Sequence, residues 1–152
     1  MTKVNIEPDT VARLMEHPNI VGIKDSTGDL DQFAQLCQLA HRRQNWRVFN
    51  GPEDKLAEAF RLGASGGIGG AVNRSPELFV SLFSAVRKGD EKTARILHQE
   101  VLEFMERYYG NPISVESVIG GIKRELARRG ICSGDMAPPL SYCTAPSDVR
   151  AT

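Results

Sequence analysis

Three short segments, residues 19–24, 47–50 and 66–73, are apolar or glycine-dense, and each is followed by a stretch with helical periodicity. That alternation limits the fold more than any other feature, because β/α units joined by short loops build a parallel sheet with helices packed on it. Asn19-Ile20-Val21-Gly22-Ile23-Lys24 reads as a buried strand covered on both faces, and Arg47-Val48-Phe49-Asn50 as a second, stopped by Gly51-Pro52. Gly66 to Asn73 reads as a third strand or strand-like stretch that something must approach closely.

Helices are expected between and after these segments. Pro8 to His17 places Val11, Leu14 and Met15 at i, i+3, i+4, and Asp29 can cap a helix running to about Arg43. Glu53 to Leu62 closes on Gly63, and Ser75-Pro76-Glu77 opens a helix that stops at Gly89. Asp90 then caps a longer helix reaching nearly to Gly110, and a last one spans about Ser114 to Arg129, where Gly120-Gly121 costs about 1 kcal/mol per glycine relative to alanine. The division this predicts is a helix and three β/α units over residues 1–88, a helical region over 89–130 and an irregular tail over 131–152.

Composition removes several classes of function. With 19 Lys plus Arg against 19 Asp plus Glu, the chain has no basic field for a phosphate backbone, so nucleic acid is not an expected partner. No apolar run approaches the roughly 18 residues of a membrane span, and Met1 to Thr10 lacks the pattern of a signal peptide, so the expected location is cytoplasmic with no membrane partner. Cys37, Cys132 and Cys143 form no C-x-x-C pair, and His17, His41 and His98 are scattered, so reduced thiols and no metal site are expected.

The chemistry-bearing residue is Lys24. It lies at the C-terminal end of its strand, where β/α enzymes assemble their active sites. Desolvation among apolar walls would disfavour its ammonium and free the amine to attack a carbonyl, whereas a strand-end lysine can equally send its head to water. The glycines of residues 66–73 do not make a dinucleotide motif, since the third glycine position is Val72. They let either a substrate or tight packing come close to the backbone. Glu53 and Asp54 can hold substrate polar groups at the sheet edge or favour the positive end of the helix they begin.

Pro18-Asn19-Ile20-Val21-Gly22-Ile23-Lys24-Asp25-Ser26-Thr27-Gly28-Asp29 resembles the lysine motif of the pyruvate-dependent class I aldolases, the family of dihydrodipicolinate synthase and N-acetylneuraminate lyase. Phe49-Asn50-Gly51-Pro52-Glu53-Asp54 and the stretch from Leu62 through Gly69 to Asn73 and Pro76 follow in the family's order and spacing, and the likeness runs through Lys88-Gly89-Asp90 to about Pro139. The resemblance implies part of a (β/α)8 TIM barrel, about its last three β/α units, followed by C-terminal helices. It implies that Lys24 forms an imine with pyruvate or another 2-oxo acid, with no cofactor beyond that covalent imine. Ile68 would offer its backbone near the pyruvate, and Ser26, Gly51, Glu53, Asp54 and Gly70 match substrate-contacting positions of the lyase branch. The chain departs from that branch in its Glu-Asp order and in the hydroxyl that Gly70 lacks, and from the synthase in having Gly-Pro-Glu for Gly-Asp-Asp.

The family's Tyr-Asn-x-Pro motif, which carries a catalytic tyrosine, has no counterpart in the chain. The expectation is therefore the second half of such an enzyme. Loss of a positioned proton donor costs roughly 10²- to 10⁴-fold in rate. Three parallel strands would leave sheet edges that invite self-association or a complementary half-barrel. The alternative function is a catalytically inactive fragment or half-barrel association module.

Overall fold

The structure, a computed structural model, describes residues 4–109 and 113–140. Tyr142 and Cys143 lie outside the described residues. Three parallel strands in the order β1, β2, β3 make one sheet: β1 is Gly22–Asp25, β2 Arg47–Asn50 and β3 Gly66–Gly67. Helices α1 (Pro8–Leu14), α2 (Leu30–Ala40), α3 (Leu56–Arg61) and α4 (Pro76–Arg87) alternate with them, and α5 (Glu91–Tyr109) and α6 (Val115–Arg128) complete the chain. The sheet and its helices are the part of a β/α barrel that the family resemblance implied.

Register assigns the two faces. Ile23 pairs with Val48, Lys24 with Phe49 and Asp25 with Asn50, while Phe49 pairs with Gly66 and Asn50 with Gly67. Alternation then puts Ile23, Val48, Asn50 and Gly67 on the helix side, and Gly22, Lys24, Arg47, Phe49 and Gly66 on the other. The helix side carries the core, in which Phe33, Leu36, Val48, Leu56, Phe60 and Leu82 are buried. The opposite face is open among the described residues, since Lys24 and Arg47 are both exposed. The expectation of a first strand covered on both faces therefore fails, and Val21 is 54% exposed.

Local signals set most helix ends. Asp29 caps α2 by accepting from the Asp31 and Gln32 amides at 2.9 and 3.0 Å, and Ser114 and Ser117 form a reciprocal capping box on α6. Gly63 takes φ +100, the left-handed conformation that ends α3. Three expectations are corrected. The third strand is only two residues long, because the chain turns away at Ile68 and winds into a 3₁₀ turn at Ala71–Asn73. Ser75 makes no cap on α4, because its hydroxyl accepts from Arg74 Nη1 at 2.8 Å. The helix expected to run to about Arg43 ends at Ala40, and the Arg43 guanidinium donates to the carbonyls of Met15, His17, Pro18 and Ile20, fastening the turn that leads into β1.

Candidate active site

Two backbone bonds align the strand ends that carry the site. The Gly51 amide donates to the Asp25 carbonyl at 2.7 Å, and the Ile68 amide to the Asn50 carbonyl at 2.9 Å. Asp25, buried beneath the first loop, accepts from the Thr27 amide at 2.8 Å and the Thr27 hydroxyl at 3.1 Å. That closed turn holds Ser26 outward and exposed beside Lys24.

Lys24 leans across the neighbouring strand end. A β-carbon on Gly51 would lie 2.8 Å from Lys24 Cε and overlap the Ser26 hydroxyl, so glycine at 51 is what leaves room for both side chains. A cleft of about 420 Å³ opens along β1 and the start of α2, where Ile6, Ile23, Lys24, Ser26, Gln32 and Leu36 are among its lining. Val4, Ile6, Ile23 and Leu36 give that cleft an apolar side, while Lys24 itself is exposed.

Glu53 sits differently. Its side chain is buried, with the residue 6% exposed; one carboxylate oxygen accepts from the Ala71 amide at 2.6 Å and the other from the Tyr109 hydroxyl at 2.5 Å. Gly69 admits this carboxylate, since any side chain there would overlap it. Burial, the largest influence, pushes the Glu53 carboxyl above its ordinary value, with Asp54 adding to the rise, while the two hydrogen bonds and the nearby Lys24 charge oppose it. Tyr109 is held well above the ordinary phenol range by its own burial and by the Glu53 carboxylate.

The remaining candidates are spread along the same edge. Asp54 is half-buried and 3.5 Å from Lys55 Nζ, and Ile68 is 51% exposed. Gly70 lies beneath α6, where a β-carbon would meet Ile122 Cδ1 at 2.6 Å. The structure thus brings Lys24, Ser26 and Gly51 together and packs Glu53 and Gly70 against the helices. What approaches the glycine-rich stretch closely is the chain's own Leu56, Glu53 and Ile122.

Two polar residues of this region escaped the sequence reading. Asn50 is buried and donates to the Pro52 carbonyl at 2.6 Å, shaping the loop after β2. Tyr109 follows Met105 by four positions and Val101 by eight, so it lies on the buried face of α5, where the sequence reading places only its neighbour Tyr108. His98 is also more engaged than a solvated histidine, with Nε2 3.2 Å from the Asp54 carbonyl. Among the described residues, no helix is long and apolar enough to cross a membrane.

Parallel strands with helices packed on them, whose C-terminal ends gather a lysine, a hydroxyl and close-packed glycines, make part of a β/α barrel. Residues 1–147 match the model of the dihydrodipicolinate synthetase family, and the chain belongs to that family. The 4-hydroxy-tetrahydrodipicolinate synthase of Methanospirillum hungatei is 33% identical over 151 residues, covering 98% of this chain and 49% of that protein. The solved dihydrodipicolinate synthase of Bacteroides thetaiotaomicron superposes with a TM-score of 0.83 at 35% identity, over 93% of this chain and 47% of its own. A prophage protein of the same family from E. coli K12, solved in complex with pyruvate, superposes with a TM-score of 0.79 at 27% identity, again over 93% and 47%. The chain spans about half the length of the relatives it matches.

Proposed function

We propose that this chain carries the lysine half of a pyruvate-dependent Schiff-base aldolase or lyase. The observation that carries the reading is Lys24 at the C-terminal end of β1, laid across Gly51 with Ser26 beside it. The neutral Lys24 amine adds to the C2 carbonyl of pyruvate, and loss of water with uptake of one proton from solvent gives a protonated imine. Its positive nitrogen accepts the electron pair released when a C3 proton leaves, forming an enamine. The enamine attacks an aldehyde carbonyl to make the carbon-carbon bond, and hydrolysis of the imine returns Lys24. Cleavage runs the same steps backward.

Ser26, Gly51, Asp54, Ile68 and Gly70 are proposed to border the substrate, as the family likeness implies. The test is to incubate the chain with pyruvate and borohydride and map the reduced adduct by mass spectrometry. A stable adduct on Lys24, absent from Lys24→Ala, is expected; no adduct under conditions that label a full-length relative would overturn the reading for this chain.

A second reading has its own observation. Lys24 is exposed, and β1 and β3 each have a single strand neighbour among the described residues, which favours a half-barrel that works by association. Light scattering separates the two readings: a folded monomer that traps pyruvate unaided supports the first, and trapping only in an assembly supports the second.

A further inference from the structure

We infer that Tyr109 is a positioning residue for the Lys24 site, acting through the buried Glu53 carboxylate to fix the Gly69–Ala71 loop beside it. This rests on the imine reading above, and it gives Glu53 a structural role in place of contact with substrate.

Both oxygens of Glu53 are already engaged, one by the Ala71 amide and one by the Tyr109 hydroxyl, and its side chain is buried. Each oxygen could accept a second bond, so it is burial that keeps a substrate hydroxyl from reaching the carboxylate. The carboxylate therefore joins three parts of the chain distant in sequence: the loop after β2, the loop after β3 and the C-terminal end of α5. The loop after β3 has no freedom to drift from this anchor. Gly69 is closed over the carboxylate, Gly70 is closed under Ile122, with the Tyr109 hydroxyl 3.6 Å from where a β-carbon would lie, and the Ile68 amide is bonded to Asn50. Ile68 is thereby set at the strand end next to the one that Lys24 leans across. The helices beyond the barrel units thus reach the site through the Tyr109 hydroxyl, alongside Ile122 over Gly70 and His98 against the Asp54 carbonyl.

Tyr109→Phe removes that hydroxyl while keeping the ring, which stacks edge-on against Phe104 at 6.2 Å between centroids. A buried carboxylate oxygen then loses its donor, and the pyruvate concentration that half-saturates borohydride trapping at Lys24 should rise about tenfold, the size of one hydrogen bond to a charged group. Val11→Ala, in the fully buried contact of α1, serves as the control for general destabilisation. It should lower the melting temperature and leave half-saturation unchanged. Equal half-saturation in Tyr109→Phe and wild type, or an equal rise in both variants, would overturn the inference.

If the wild-type chain traps no pyruvate, the imine reading fails for this chain and amide exchange decides the positioning role alone. Exchange at Ala71 that is about tenfold faster in Tyr109→Phe than in Val11→Ala supports the link. Equal exchange in the two variants sinks it.

Discussion

Alanine at Gly120 and alanine at Gly121 should move stability in opposite directions, although the two positions adjoin in the middle of α6. Both replacements gain about 1 kcal/mol of helix propensity. At Gly120 a β-carbon would lie 3.4 Å from Arg124 Nη1 and 3.6 Å from Met136 Sδ, ordinary contacts with the ends of flexible side chains. Gly120→Ala should therefore keep the whole gain and raise the melting temperature by about 2 to 4 °C. At Gly121 the β-carbon would overlap the Tyr108 carbonyl oxygen and lie 3.0 Å from its carbon. Backbone cannot swing aside as a side-chain tip can, so α5 and α6 must separate. Overpacking of this kind costs about 2 to 3 kcal/mol, leaving a net loss of about 1 to 2 kcal/mol after the propensity gain. Calorimetry on the two variants reads the difference directly. A Gly121→Ala melting temperature at or above wild type would show that α6 does not rest on the Tyr108 backbone, and would remove the support this contact gives to Tyr109.

Glu53→Gln should change how stability depends on pH. A carboxyl raised by burial contributes stability that is fully present below its ordinary value of about 4.3 and is lost as pH rises through its higher native value, so wild type should lose stability relative to Glu53→Gln across that window. Urea midpoints that keep a constant separation between the two proteins from pH 4 upward would contradict this. Gly51→Ala, which forces a methyl group into the space of Lys24 and Ser26, should cut pyruvate trapping at Lys24 by about tenfold or more, since displacement of a reacting group by about 1 Å costs up to about a hundredfold; unchanged trapping would refute the packing argument. Burial raises the Cys37 thiol to about 11 while Cys132 is exposed, so peptide mapping after brief alkylation should find Cys132 modified and Cys37 intact until the chain unfolds.

What the sequence revealed and what it hid divide by range of interaction. The Asp29 cap, the start of the last helix near Ser114 and the Arg47–Asn50 strand depend on neighbours within a few positions, so their patterns can be read in one pass. The glycine-rich stretch could not be read that way. Its strand lasts two residues because the loop must bend around a carboxylate from the previous β/α unit, and nothing local in residues 66–73 announces that partner. The Glu53–Tyr109 bond spans 56 positions and exists only once α5 has docked. Lys24 shows the mixed case: its place at a strand end was legible, whereas its exposure depends on how much of a barrel surrounds it. Ser75 failed as a cap for a physical reason next door, the competing guanidinium of Arg74.

Under the proposed function, Lys24 is the residue that bonds covalently to a 2-oxo acid. A crystal structure of the chain soaked with pyruvate tests it most directly. Continuous density from Lys24 Nζ to the pyruvate C2 carbon, with the Ile68 backbone alongside, is the result this account predicts. Pyruvate bound elsewhere, with the Lys24 amine unmodified, would contradict it.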